Sequence, residues 1–384
     1  MWASVRCHPL VDLCNHRRLV YPPLGPSNPP RCTVAAWIGS ANLGDELVFT
    51  ALAAQLAARG VAVEALSQDP HATAVDHGVA AVRRRDLLRP GRSLGSLVLG
   101  GGGLLQDETS TINLDLHLMP VAVARLRRAP VAGVGLGAGP LTTRTGRLRV
   151  RRLLAGVPLT VRDDASADLL AAIGLPRPTV AADLALSLPA PTAAPADRIV
   201  VCLRPWSGRR HHLPARLRRH RPDDRFAAGA AASLDALSAA TGLPVHLVAF
   251  DAPKDSPLQE AVAARMRSLP TMASPNRRQV LDEVAASRLV VAMRYHGGMA
   301  AVLAGRPTVL IGYSPKVDAL ALELGPGAAA RRWSPDGLGD LTAAASAVLG
   351  RGDDVQAARD RLVLRERGNG DLLDQLLERT ETLR

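Results

Sequence analysis

From residue 33 onward, short aliphatic runs alternate with Gly-rich turns and stretches of helical spacing. Residues 33–38 read as a strand, 39–44 as a turn and 45–59 as a helix stopped by Gly60, with further strands at 61–66, 97–99, 131–136 and 159–162. Strand, glycine turn and helix in repeated order point to a parallel sheet, because each return to a parallel neighbour needs a crossover long enough to hold a helix. The pattern breaks at 189–197, where Pro and Ala dominate and periodicity is lost. It then restarts, with strands at 199–203, 244–250, 289–293 and 308–312 and helices at 226–241, 258–268, 278–286 and 297–304. The expected fold is α/β: two doubly wound Rossmann-like domains, 32–188 and 198–340, joined by a linker at 189–197 and facing a central cleft. In open parallel sheets ligands bind beyond the carboxyl ends of the strands, so the cleft is where chemistry is expected. Residues 341–384 read as amphipathic C-terminal helices. Residues 1–31 end in a Pro-rich stretch without a signal-peptide run, and are expected to be a disordered N-terminal extension or the product of a misplaced start codon.

The 384 residues suffice for two cores, built mainly from Ala, Val and Leu since aromatics are only 3%. The formal net charge of +12 is carried almost wholly by arginine, with only two lysines, Lys254 and Lys316. Basic residues cluster at 83–85, 144–152 and 209–221. Solvated faces are the first account of these clusters, and a phosphorylated or membrane-borne substrate is the next. Nucleic acid is not expected, since zinc-finger spacing is absent and three Phe with three Tyr leave few stacking platforms. The four cysteines, at 7, 14, 32 and 202, form no C-x-x-C pair, and free thiols in a reducing compartment are expected. His211-His212 has no carboxylate or cysteine at ligand spacing, so no metal is expected. No run of ~20 apolar residues is present to span a bilayer. The expected location is the cytoplasm, with peripheral docking at the anionic inner face of the membrane as a further expectation.

Five motifs bear on chemistry. Asn42-Leu43-Gly44-Asp45-Glu46 stands at a strand–turn–helix junction, where a glycine lets backbone approach a ligand and free amides suit an anion. Taken alone, helix capping by Asn42 or Asp45 is the preferred account. Gly100 to Gly103 precede Leu104-Leu105-Gln106-Asp107, and their amides could form a phosphate nest or a tight bend. The glycines of 133–139 run into Pro140 with no acidic residue at dinucleotide spacing, so NAD is not expected. Arg162 and Arg204 each follow a predicted strand; Arg162 adjoins Asp163 and an ordinary ion pair is its preferred account, whereas Arg204 has no neighbouring acid. Finally, the run 290–299 delivers Arg294 and His296 to a strand end, two residues apart, so that both are expected to face one side. Histidine exchanges a proton near neutral pH and arginine can hold an anion beside it. Lys316 lies just beyond the next strand, near the same rim.

The ordered set resembles the polysaccharide pyruvyl transferase family, especially its bacterial cell-wall branch. The matching pieces are N-L-G-D-E at 42–46, G-G-G-L-L-Q-D at 101–107, G-x-G-x-G-P-L at 135–141 and V-R-D at 161–163. They continue with L-R-P-W at 203–206, R-Y-H-G at 294–297 and Y-S-P-K-V at 313–317. Tyr295 stands where Leu is common in the family. The resemblance implies a fold like that of GT-B glycosyltransferases, phosphoenolpyruvate as donor substrate, a saccharide acceptor and a pyruvate ketal product, with no cofactor and no metal. Under it, His296, Asp45 and Glu46 are the expected catalytic residues. Arg294, Arg204, Lys316, Arg162, Asn42, Gly44, Gly101, Gly102, Gly103 and Gln106 are the expected substrate-binding residues. A lipid-linked acceptor would fit the basic surface. The rival readings are a nucleotide-sugar glycosyltransferase of the same architecture, for which Glu323 or Asp318 would have to hold the nucleotide, and a catalytically silent glycan-binding relative.

Overall fold

A computed structural model describes residues 29–107, 111–206 and 223–382. The first sheet contains β1 (Arg31–Ile38), β2 (Ala62–Ser67), β3 (Ala80–Arg83), β4 (Ser96–Leu105), β5 (Val131–Ala138), β6 (Leu159–Val161) and β7 (Thr179–Val180), in the order β3-β2-β1-β4-β5-β6-β7. The second contains β8 (Ile199–Cys202), β9 (Val245–Val248), β10 (Thr271–Ala273), β11 (Leu289–Ala292), β12 (Thr308–Gly312) and β13 (Ala328–Arg332), in the order β10-β9-β8-β11-β12-β13. Every neighbouring pair is parallel. Each sheet therefore reverses its strand order once, beside β1 and β4 in the first and β8 and β11 in the second, and such a reversal opens a crevice at the strand ends.

The helices of the first domain are α1 (Leu43–Ala58), α2 (Pro70–His77), α3 (Thr111–Leu126), α4 (Arg144–Leu154) and α5 (Asp164–Ala172). The second has α6 (Asp224–Thr241), α7 (Ala252–Ala263), α8 (Val280–Ala285), α9 (Tyr295–Leu303), α10 (Pro315–Leu324) and α11 (Leu341–Val348). They are followed by α12 (Gly352–Thr382). The helix expected at 258–268 instead opens at Ala252, because Pro253 occupies its first turn, where a missing N–H breaks no intrahelical bond. Of the extension expected at 1–31, residues 1–28 lie outside the described residues, as do His211-His212 and the 209–221 cluster, while Arg31 opens β1.

The C-terminal segment is more than a tail. Along α12, Ala358 and Leu362 pack into the second domain while Leu372, Leu373 and Leu376 enter the core of the first. Each buried leucine contributes about 1.5–3 kcal/mol, so the helix is a strong strap between the two lobes. Its polar groups fit the same purpose. Asn369 accepts from Thr160 Oγ1 at 2.7 Å and donates to the Ala182 carbonyl at 3.0 Å, and Arg59, just after α1, pairs with Asp374. On the cleft side the lobes meet directly, where the Leu43 amide donates to the Phe250 carbonyl at 2.7 Å.

Candidate active site

His296 sits in the first turn of α9 at the lobe interface, and its ring is wedged between two elements of the first domain. On one side is Gly44 of α1: a Cβ added there would lie 2.1 Å from His296 Nδ1, so only glycine allows this approach. On the other is Asp183, whose Oδ2 is 3.6 Å from Nε2, a nitrogen that is buried and has no hydrogen-bond partner. Asp183 is itself fully enclosed. Burial works to raise its carboxyl, yet His296, Arg162 and the Ala185 amide together hold it below the ordinary range. A buried carboxylate beside an imidazole orients the ring and stabilises its protonated form.

Three cations converge on the space in front of this pair. Arg162, Arg204 and Lys316 line two adjoining cavities of about 270 and 280 Å³, together with Gly103, Gln106 and Tyr313. Arg204 donates to Tyr313 Oη at 2.7 Å and has no acidic partner among its described hydrogen bonds, and its Nε is buried without a partner. Arg162 is shared: it pairs with Asp163 at 3.3 Å and Asp183 at 3.5 Å, and its guanidinium lies 4.0 Å from the centre of the Tyr295 ring. Gly137 makes room for that guanidinium, which a Cβ would approach to 2.8 Å. Tyr313 lies under the cluster. Burial raises its phenol, but Arg204, Lys316 and Arg294 outweigh that and bring it down to about 7. For Lys316 the order is reversed: Tyr313 supports its charge, while burial and the two neighbouring arginines leave its ammonium below the ordinary lysine value.

Asp45 faces the same space. Asn42 caps α1, accepting from the Gly44 amide, and its side-chain amide donates to Asp45 Oδ2. The Asp45 carboxyl is raised chiefly by burial, against the opposing pull of His296, Lys316 and Asn42. Gly102, in a left-handed conformation, leaves room for it, since a Cβ there would stand 3.2 Å from Oδ1. The helix capping preferred for this motif is made by Asn42, while Asp45 lines the cavity.

Three expectations are corrected. Glu46 does not reach the cleft: Oε1 accepts from the Gly39 and Ser40 amides at 2.8 and 3.1 Å, and Oε2 pairs with His77 at 2.8 Å, so it braces the β1–α1 turn. Arg294 and His296 do not act on one side together. Arg294 borders the cavity, but its guanidinium turns into its own domain and pairs in a fork with the fully buried Asp255, with Asp251 3.7 Å away. The reason is that α9 begins at Tyr295, so successive side chains diverge around a helix. The glycines do not end the strand: β4 continues through them to Leu105, but Gly101 and Gly102 take positive φ and the register with β5 shifts beyond Gly102, an irregularity within the strand rather than a turn between strand and helix. Gly101 lies against Val48 and Leu184, letting α1 approach the sheet, and of the four only Gly103 lines the cavities. Asp107 accepts from the amides and hydroxyls of Thr142 and Thr143, which fastens β4 to the loop before α4.

Sequence reasoning missed Asp183, Tyr313 and Asp255. Tyr313 directly follows β12, a strand-end position that doubly wound sheets use for ligands, so the signal was present. Asp183 follows a two-residue strand that carries almost no pattern, and Asp255 lies inside a helix.

The model of the family described as polysaccharide pyruvyl transferase matches residues 42–315, a span that includes His296, the turn of Asp45 and two of the three clustered cations, Arg162 and Arg204, with Lys316 following directly. The chain belongs to the polysaccharide pyruvyl transferase family. No curated protein matches it significantly. Among solved structures, it is similar to UDP-GlcNAc 2-epimerase from Neisseria meningitidis bound to UDP-GlcNAc, with 10% identity, a TM-score of 0.55 and coverage of 91% of this chain and 99% of that one. It is also similar to Anabaena HepE in complex with UDP and glucose, with 10% identity, a TM-score of 0.55 and coverage of 93% and 99%. A third is the glycosyltransferase of kitacinnamycin, with 13% identity, a TM-score of 0.53 and coverage of 91% and 100%. These similarities establish a GT-B-like, Rossmann-like fold for this pyruvyl transferase family member.

Proposed function

We propose that the cleft takes phosphoenolpyruvate as donor and builds a pyruvate ketal across two hydroxyls of one sugar in a polysaccharide precursor, releasing phosphate. The observation that carries the proposal is the convergence of Arg162, Arg204 and Lys316 on a cavity wall beside an Asp183-supported His296. A small trianion needs just such a set, with the planar forks of two guanidinium groups and a compact ammonium to hold phosphate and carboxylate.

In the proposed reaction His296, protonated, gives its proton to C3 of the enol, which leaves oxocarbenium character at C2. A sugar hydroxyl attacks C2 and loses its proton to Asp45 or back to His296. The C2–O bond to phosphate then breaks with its electron pair on the phosphate, and the second hydroxyl closes the ketal. Of the two hydroxyl protons, one ends in the methyl group and one on phosphate. Proton transfer by a positioned side chain contributes about 10²–10⁴ in rate. Arg204 and Lys316 meet the charge that grows on the leaving group. Asp183 holds the imidazole, and Asn42 holds Asp45. The scheme uses no cofactor besides the donor.

A nucleotide-sugar glycosyltransferase would share the fold, but of the two acids the second domain offers for a nucleotide, Glu323 is bound to Arg365 and Asp318 packs against Gly312 at the end of β12. The test is incubation with phosphoenolpyruvate and membrane glycolipid extract. Phosphate release with a pyruvate-sized mass gain on the glycan is expected; UDP release from UDP-sugars without either change would select the rival. His296→Ala is expected to abolish the transfer, and activity within a few-fold of the parent would remove the residue from the scheme.

A further inference from the structure

The arginines left over by the cleft are not spread evenly. Three segments lie together on the outer layer of the first domain: the single turn Arg84–Leu88 with the loop that follows it to Arg92, helix α3 with its end at Arg128, and α4. Their contiguity is visible in contacts. Arg84 donates to the Leu116 carbonyl, Arg127 to the Arg89 carbonyl, Arg125 to the Leu153 and Ala155 carbonyls, and Arg149 pairs with Asp115. With Arg83 included, these segments hold thirteen arginines against two aspartates, nearly the whole formal net charge of +12.

Apolar side chains stand among these charges. Leu126 is 85% exposed, Leu88 58%, Leu148 44% and Leu116 43%. On α3, Leu116, Met119 and Leu126 fall on the face opposite the buried Leu114, Leu118 and Val121, while Val123 between them packs against the core. This helix is thus apolar on its outer face as well as toward the core. Leucines interleaved with arginines suit a lipid headgroup layer, into which the apolar tips insert while the guanidinium groups meet phosphates. Nucleic acid would call for stacking side chains or base-reading donors, and self-association would bring like charges together.

We propose that this face, built from the Arg84–Leu88 turn, α3 and α4, docks the protein on an anionic phospholipid bilayer. Asn113 and His117, on the inner side of the same α3, line the cleft, so docking would set the cleft mouth beside the lipid surface. That last consequence rests on the proposed saccharide acceptor being lipid-borne, whereas the docking itself does not.

The full chain is mixed, without substrates, with vesicles of phosphatidylcholine and with vesicles of equimolar phosphatidylcholine and phosphatidylglycerol, and binding is followed by flotation at rising salt. Binding to the anionic vesicles, weakened by salt and absent on the neutral ones, is expected. Each arginine removed should weaken it about fivefold, so Arg151→Ala with Arg152→Ala loses about 25-fold. The corresponding lysine pair should restore most of it. Leu126→Asp should weaken binding at high salt, where the apolar contribution dominates, without changing the melting temperature. Equal binding to neutral vesicles, no binding to either, binding unchanged in the arginine pair, or capture of duplex DNA at physiological salt in preference to the vesicles would each overturn the proposal. Because no donor or acceptor is present, none of these outcomes depends on the pyruvyl-transfer reading.

Discussion

Gly44→Ala separates the chemistry of the site from the stability of the fold. Gly44 is in the second turn-forming position of α1 with an ordinary helical backbone, where alanine is intrinsically favoured over glycine by about 1 kcal/mol. The new methyl, however, would stand 2.1, 2.5 and 2.8 Å from Nδ1, Cγ and Cβ of His296. Such atoms settle at about 3.5 Å or more, so the clash requires a retreat of roughly 1 Å. Rotation of the ring does not relieve it, because His296 Cβ is among the three atoms. Either the imidazole leaves Asp183 or the lobes part at the adjacent Leu43–Phe250 hydrogen bond. A displacement of that size costs on the order of 10²-fold in turnover, equivalent to about 2.7 kcal/mol of barrier. Phosphate release under saturating phosphoenolpyruvate and glycan reads the rate, and thermal melting reads the fold. The expected result is a loss near two orders of magnitude with a melting temperature shifted by at most a few degrees. Turnover within about threefold of the parent would refute the placement of His296 against α1.

Further expectations follow from the same geometry. Asp183→Asn keeps the shape but removes the charge that supports the imidazolium, and should lower turnover about 10²-fold or more with little change in KM, measured by the same assay. Arg294→Met strands the fully buried Asp255 and should cost about 3–5 kcal/mol of stability in denaturant titration, whereas Arg204→Ala, which removes a support of the Tyr313 anion but strands no buried carboxylate, should cost less and raise KM for phosphoenolpyruvate. Tyr313 ionises at about 7 in the fold rather than near 10, so its anion adds stability that is complete above about pH 10 and lost as pH falls through about 7. The stability deficit of Tyr313→Phe, followed by melting across pH, should therefore shrink on acidification. Glu366, raised to about 7 chiefly by burial, has the opposite sign: its ionisation costs stability as pH rises from about 4.5 to 7. Glu366→Gln keeps an acceptor for Gln55 and should be more stable than the parent above about pH 7 and equal to it below about pH 4.5.

Much of this architecture can be read from local pattern, because β8, β11 and β12 are short buried aliphatic runs bounded by turns and helices, and a parallel strand declares itself that way. Arg204 and Lys316 were legible for a related reason: each follows such a strand by a few residues, and strand ends define the cleft. What stayed hidden is contact between distant parts. Glu46 and Asp45 are adjacent and chemically alike, and only the fold of the turn sends one to His77 and the other to the cleft. Arg294 has no acid beside it in the sequence because its partner, Asp255, lies far away in α7. The role of α12 was equally invisible, since an amphipathic helix shows that it has a partner but not that the partner is the opposite domain.

The central claim is that three cations and a carboxylate-supported histidine, contributed by both lobes, meet around one molecule of phosphoenolpyruvate. A crystal structure of the inactive His296→Ala protein with that ligand tests it most directly. The account predicts the phosphate and carboxylate within hydrogen-bonding distance of Arg204, Lys316 and Arg162, with C3 turned toward the space vacated by the imidazole. Phosphoenolpyruvate bound elsewhere, or with C3 pointing away from position 296, would contradict it.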